Sequence, residues 1–278
     1  MSTEPRIVKS QQRKLWDQIA PVWKKWAPIF EAGARPVTDL LLEQARLAEG
    51  QWIVDIASGA GETSLAAAGK VGSSGKVVGL DLSKKMIAAA EAEARKAGKT
   101  QIGFQEQDVE DLAKWPEGGY EAGICRFGLM YFPQLEVALR GIHRILTKGA
   151  RFAAAVWGPP ERVPLYSVAE SAAEEFLGKV SPSPFSLSEP GVLEQALSSA
   201  GFKQIEGERV TMVFELPSLE AAVEMMRETS HLALKSTEVP TERQTEAWAA
   251  VTEALKPFAE ADGKIALRAD AQCVVART

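Results

Sequence analysis

Apolar positions along the chain change period several times, and each change marks an element. Trp16, Ile19, Ala20, Trp23, Trp26, Ala27 and Phe30 recur at helical spacing, and Pro21 is expected to break that run or to open a second short helix. Val37, Leu40, Leu41, Ala45 and Leu47 predict an amphipathic helix over 36–48, stopped before Gly50. The pattern then turns into short unbroken apolar runs. Ile53-Val54 leads to Asp55 and Val77 to Leu80 leads to Asp81, while Ile102 to Gln107, apolar only in its first half, reads as a third strand and leads to Asp108. Runs of that length without polar alternation predict strands buried on both faces. Helices are expected between them, from Glu62 to about Lys70 and from the N-cap Ser83 to Gly98. Tyr120–Cys125 reads as a fourth strand, 134–146 as a helix and Arg151–Trp157 as a fifth strand. A βαβαβαβαβ alternation implies an α/β fold with a mostly parallel sheet and helices on both faces. A helix over 186–201, an alternating strand at Val210–Leu216 and a short last strand at Gln272–Ala276 complete seven strands.

Two stretches are not needed to close such a sheet. Residues 161–188 carry an amphipathic helix and a Ser/Pro-rich loop, and residues 218–263 read as two helices separated by the polar segment 236–241. They are expected as helical lids over the open end of the sheet, where loops on a rigid scaffold carry specificity. Surface elaboration or a homodimer face is the alternative. The whole chain, 1–278, reads as a single domain. An aromatic N-terminal cap spans 10–35, a cofactor-binding core 36–160, lids 161–188 and 218–263, and the C-terminal part of the sheet 189–217 and 264–278. Residues 2–10 read as a disordered tail.

Composition narrows the partners. The chain has 278 residues, 46% of them hydrophobic, enough for a packed core. The formal net charge is −5 with no basic block, which argues against a nucleic-acid partner. Cys125 and Cys273 both fall in apolar runs and read as reduced core residues. No run approaches the roughly 20 apolar residues of a membrane span, and no signal-peptide core or metal-ligand spacing stands out, so a soluble, cytoplasmic, metal-free protein is expected.

The chemistry concentrates at the ends of the first three strands. After Asp55 comes the small-residue loop Ala57-Ser58-Gly59-Ala60-Gly61, and a helix begins at Glu62. Glycines let the backbone approach a ligand closely, and the free N–H groups and dipole of a helix start favour an anionic or strongly polar group. That device suits a nucleotide-like cofactor lying across a parallel strand end. Asp81, on the order of 20 residues past the loop, suits the hydroxyl pair of a ribose. Asp108 can accept a hydrogen bond from an adenine amino group, with the Val109 N–H beside it to meet the ring. Leu82 and Met86 can sandwich that ring or be plain core.

These three strand ends resemble the S-adenosylmethionine site of class I methyltransferases, in which the first strand ends in an acid followed by a Gly-rich loop; Ala57 stands where glycine is common. The N-terminal run Trp16-Asp17-Gln18-Ile19-Ala20-Pro21-Val22-Trp23 resembles the cap of the ubiquinone/menaquinone-biosynthesis type, with Trp16 and Trp23 where Phe and Tyr are usual. The segment 137–152 resembles the family's helix-then-strand signature through Arg144, Leu146 and Gly149, with Gly141, Lys148 and Ala150 as departures. The resemblance covers roughly 16–152. It implies a seven-stranded Rossmann-like sheet with an antiparallel seventh strand and S-adenosyl-L-methionine as cofactor. It assigns Asp55, Ala57, Ser58, Gly59, Gly61, Asp81, Leu82, Met86, Asp108, Val109, Arg126 and Trp23 to the cofactor.

A sulfonium methyl is already a strong electrophile, so such a site must mainly align a nucleophile and exclude water. Trp23, Trp26, Tyr131, Trp157 and His231 are the candidates for the acceptor pocket. The aromatic residues suggest a small hydrophobic or aromatic acceptor resembling a phenol or quinone. His143, on the fourth helix, is expected in solvent. Two other readings stay open: a Rossmann-type nicotinamide oxidoreductase, whose loop would want Gly or Ala where Ser64 stands, and a non-catalytic S-adenosylmethionine-binding protein.

Overall fold

The computed structural model describes residues 4–278. Seven strands form one sheet: β1 Trp52–Ile56, β2 Lys76–Asp81, β3 Ile102–Glu106, β4 Tyr120–Arg126, β5 Leu146–Trp157, β6 Lys203–Leu216 and β7 Ile265–Arg277. Their order is β3-β2-β1-β4-β5-β7-β6. The first five are parallel, and β7 runs antiparallel to both β5 and β6. This is the sheet the resemblance implies. Chain order reverses direction between β1 and β4, so loops leaving those two strands diverge and open a crevice at their carboxyl ends.

The helices are α1 Pro5–Gln44, α2 Glu62–Val71, α3 Lys84–Lys96, α4 Leu135–Ile145, α5 Pro164–Leu177, α6 Val192–Ser199, α7 Leu219–Thr229, α8 His231–Ser236 and α9 Thr241–Leu255. Burial of the β1 residues Ile53, Val54 and Ile56 and of β5 residues 152–157 on both faces explains their unbroken apolar runs. The segment 218–263 holds three helices rather than two, because Ser230 ends α7 and starts α8. The last two strands are far longer than their sequence signal. In β6 the first nine residues, 203–211, alternate little and are mostly exposed, so hydrophobic periodicity marked only the end of that strand.

The largest departure is α1. Expected as a tail, a broken aromatic run and a separate helix, it is one helix of 40 residues, with Pro21, Pro28 and Pro36 inside it. Residues 5–10, expected in the disordered tail, form its first turns, while 1–3 lie outside the described residues. Each internal proline removes one backbone hydrogen bond. Tertiary contacts on both halves outweigh that loss. Trp26, Phe30, Ala34, Val37, Leu41 and Leu42 enter the main core, whereas Leu15, Ile19 and Ala20 form a separate small cluster with Ala60 and Met86. One half of α1 is therefore core, and the other half lies over the strand ends. His143, expected in solvent, is half-buried and meets the Phe202 ring edge-on at 5.0 Å.

Candidate functional site

A cavity opens at the carboxyl ends of β1, β2, β3 and β4 and runs beneath the first half of α1. Its polar part is built on the turn after β1. Ala57, Gly59 and Gly61 all take positive φ, 53°, 55° and 92°, so three reversals carry the chain from strand to helix in five residues. The turn is held from below by Ser58 N–H donating to the Leu80 carbonyl at 2.9 Å. No side chain caps α2, leaving the N–H groups of its first turn without a side-chain partner.

Asp81 ends β2 and ties two loops together. Its Oδ2 accepts from Gly59 N–H at 2.9 Å and its Oδ1 from Ser83 N–H at 2.8 Å. Burial pushes its carboxyl up to about 6 against the lowering effect of those bonds. Ser83 caps α3 by accepting from Met86 N–H at 3.1 Å, and donates its own hydroxyl proton to Asp17 of α1 at 2.6 Å. Asp108 turns the chain after β3 by accepting from Glu110 N–H at 2.9 Å. Lys9 Nζ of α1 bridges Asp108 and Glu110 at 2.7 and 2.6 Å.

Asp55 stands behind the turn rather than on the cavity wall. It is 1% exposed, accepts the Ser64 hydroxyl at 2.6 Å, and burial raises its carboxyl to about 7. The floor beside it is ionic. Arg126 makes a two-pronged bond to Glu31 at 3.2 and 2.5 Å and a third to Thr38 Oγ1 at 2.7 Å. Burial opposes that charge, and Glu31 more than compensates. Glu62 accepts Trp23 Nε1–H at 2.6 Å; burial and the nearby Glu31 raise its carboxyl.

Away from the acids the walls become aromatic. Phe127 and Trp157 stack at 4.0 Å with 6° between planes, and Trp157 meets Tyr166 at 5.2 Å and Phe214 at 6.3 Å. Tyr131 stacks on His231 at 4.8 Å, and Trp16 meets both rings edge-on. His231 bonds to the Gln12 side chain, and burial lowers its imidazole to about 4, so it is neutral at physiological pH.

Of the residues singled out from sequence, the cavity is lined by Ala57, Ser58, Gly59, Asp81, Leu82, Met86, Asp108, Val109, Arg126, Trp23, Tyr131 and Trp157. Gly61 shapes the turn without lining it. His231 stands one layer back, behind Tyr131. Trp26 is corrected outright: it is 3% exposed, sits in the main core, and its Nε1–H donates to Glu228 at 2.6 Å. A straight 3.6-residue period puts Trp23 and Trp26 on one stripe, but a stripe wide enough to cover the core has two edges, and only Trp23 is on the cavity edge. Sequence reasoning missed Lys9, Glu31, Glu62, Tyr166 and Phe214. Glu62 directly follows the glycine turn and was within reach of a closer reading; the other four depend on long-range packing.

The residues fit S-adenosylmethionine. A Cβ built on Gly59 would meet nothing within 4 Å, so the turn faces open space. Carboxylates follow at Asp81 and Asp108, with Leu82, Met86 and Val109 as apolar neighbours. Each Asp81 oxygen has one backbone donor and retains a lone pair for a ribose hydroxyl.

A family model described as a methyltransferase domain matches residues 47–205. The 2-phytyl-1,4-naphtoquinone methyltransferase of Synechococcus elongatus is 30% identical over 141 residues, covering 50% of this chain and 60% of that protein. Nocamycin O-methyltransferase of Saccharothrix syringae is 28% identical over 222 residues, covering 73% of this chain and 78% of the other. Among solved structures, the YcgJ protein of Bacillus subtilis superposes with a TM-score of 0.60 at 17% identity, covering 87% of this chain and 97% of that one, a likeness of fold. The match therefore spans less than two thirds of the naphthoquinone relative.

Proposed function

The chain belongs to this methyltransferase-domain family, and on that premise we propose that it transfers a methyl group from S-adenosylmethionine to a small hydrophobic or aromatic acceptor of the phenol or quinone kind. The observation that carries the proposal is the continuity of one cavity: strand-end carboxylates and an uncapped helix start at one end, stacked aromatic walls at the other. Quinone and O-methyl acceptors in the names of the relatives point the same way.

In this reading Asp81 holds the ribose hydroxyls, and Asp108 with Val109 holds the adenine edge. Leu82 and Met86 cover the ring, and the glycine turn after β1 faces the amino-acid end. When bound, the cofactor supplies a methyl carbon attached to a positively charged sulfur. The chain's task is to bring a nucleophile in line with that carbon and keep water out. Trp157, Phe127 and Phe214 provide the apolar walls, and Trp16 and Trp23 of α1 close the top. The neighbouring acids Glu31 and Glu62 leave the floor acidic despite Arg126, which favours a cationic cofactor over an anionic one. That charge balance separates this reading from a nicotinamide enzyme, whose pyrophosphate would face two carboxylates.

Calorimetric titration tests it. S-adenosylmethionine should bind and a nicotinamide dinucleotide should not. Asp81→Ala should weaken the former by about 1.5–3 kcal/mol, the range of charge-assisted hydrogen bonds. Labelled methyl transfer over a panel of phenols, quinols, amines and thiols then identifies the acceptor. Unchanged affinity in the variant, or binding with no transfer to any class, would count against the assignment.

A further inference from the structure

The sheet order sets which part of the cofactor meets which strand end. Asp108 follows β3, Asp81 ends β2, and the glycine turn leaves β1. A cofactor held at its adenine by the first and at its ribose by the second therefore extends its amino-acid end over β1 toward β4. The carboxylates that line the cavity along this path are not alike. Glu31 is neutralised by the two-pronged bond from Arg126, and Asp108 and Glu110 are neutralised by Lys9. Asp81 accepts from two backbone N–H groups. Glu62, the first residue of α2, forms no ion pair among the described residues. The side chain that reaches it is neutral: Trp23 Nε1–H donates to its Oε1 at 2.6 Å. Burial and Glu31 raise its carboxyl and outweigh the opposing pull of Arg126.

Both members of this pair are held from outside the cavity. Glu62 follows Gly61, whose φ of 92° ends the turn and where a Cβ would meet Ala90 and Phe104 at 2.9 Å. Trp23 stacks on Phe30 at 4.8 Å, and Phe30 belongs to the main core. The indole fixes Oε1 and leaves Oε2 as an acceptor on a cavity-lining residue. A carboxylate bonded to a neutral donor keeps its full charge and still favours a cation. The cofactor carries two cations near this place, and only one can donate: an ammonium has three N–H groups, while a sulfonium has none. Asp55 is unavailable to that ammonium, since it lies behind the turn and accepts the Ser64 hydroxyl. The geometry points to Glu62 as the residue that binds the α-ammonium of S-adenosylmethionine, with Trp23 as the positioning residue that holds its carboxylate for the contact. The cap thus takes part in recognising the amino-acid end, besides covering the site. This assignment rests on the methyltransferase reading of the cavity and adds to it the residue that recognises the amino group.

The test uses the full chain and three adenosine thioethers without the sulfonium. They are S-adenosylhomocysteine, its deaminated analogue, which keeps the carboxylate, and 5′-methylthioadenosine, which lacks the amino-acid end. In calorimetric titration the parent should bind S-adenosylhomocysteine about tenfold tighter than the deaminated analogue, or more, as one charge-assisted hydrogen bond provides. Glu62→Gln keeps an oxygen for the Trp23 indole and removes the charge. It should reduce that ratio to about threefold or less and leave 5′-methylthioadenosine affinity within about twofold of the parent's. Trp23→Phe removes the donor, and should weaken S-adenosylhomocysteine about threefold more than 5′-methylthioadenosine, a difference that a merely structural indole would not produce. A parent that binds S-adenosylhomocysteine and its deaminated analogue equally, or a Glu62→Gln variant that keeps the parent's ratio, would overturn the ammonium contact. A Trp23→Phe variant that weakens both ligands alike would overturn the positioning role. Failure of the methyltransferase reading is separately visible, since the parent would then bind none of the three thioethers.

Discussion

Ala57 stands where the family's loop commonly has glycine, and the structure shows what accommodates it. Its φ of 53° is a left-handed conformation that costs an L-residue about 1–2 kcal/mol. A Cβ on Gly128, in the turn after β4, would lie 2.5 Å from the Ala57 Cβ and 3.1 Å from Cys125 Sγ. The methyl added at one loop occupies space that a side chain would fill at the other. Gly128→Ala should therefore destabilise the protein by about 1–3 kcal/mol through overpacking. Adding Ala57→Gly should recover most of that loss, a coupling that urea unfolding of the four members of the double-mutant cycle measures directly. Additive effects would mean that the two turns do not share this space.

At the scale of the element, α1 is two devices in one helix. Residues 26–45 are part of the main core, packed chiefly against β6. Residues 5–23 are fastened to the site by polar contacts: Lys9 to Asp108 and Glu110, Asp17 to Ser83, and Trp23 to Glu62. Each of these partners lies at a strand end or a helix start of the cofactor region. A ligand that binds Asp108 and the α2 start acts on the same groups that hold the helix, so fastening and binding are linked. Part-exposed ion pairs and a five-residue apolar cluster hold less firmly than the core half. Hydrogen exchange should show amides 9–20 opening well before amides 34–44, at least tenfold faster, and slowing when S-adenosylhomocysteine binds. Equal protection of both halves without ligand would make the whole helix a fixed wall. A truncation meant to remove the cap must stop before Trp26, because Trp26 and Phe30 belong to the core.

For the whole molecule, the consequence of placing acids at the sheet's switch point is a pH dependence of stability. The Asp55 carboxyl is raised by burial to about 7 and that of Asp81 to about 6, against 3.8 for the free group. A carboxyl raised on folding binds its proton more tightly in the native state. Its contribution is fully present below about pH 4 and is lost as pH rises through 6 to 7. The ligand-free protein should therefore lose stability between about pH 4 and 7, by up to about 1.4 kcal/mol per pH unit for each group, and level off above that. Asp55→Asn keeps the size and a partner for the Ser64 hydroxyl but removes the titration. Thermal unfolding across that range should be flatter for the variant, and an equally steep profile would exclude Asp55 as the source. Among the described residues no helix is long and apolar enough to cross a membrane.

The sequence by itself determined the order of strands and helices in the first five units and, at the site, Asp81, Asp108 and the glycine turn. Buried parallel strands such as β1 and β2 are apolar almost throughout, so Asp81 stood out at the end of its strand, with the glycine turn between strand and helix; Asp108 followed from its place after the third strand. Tertiary structure alone decided three things. The prolines of α1 do not break it, because packing on two separate surfaces outweighs the local preference read at Pro21. Trp23 and Trp26, three residues apart, part company because one faces the cavity and the other the core. The aromatic end of the cavity, with Tyr166 and Phe214 from α5 and β6, is assembled from segments remote in sequence. Local periodicity reports which face of an element is apolar, but not which distant element will cover it, and in this protein that choice shapes the aromatic end of the cavity.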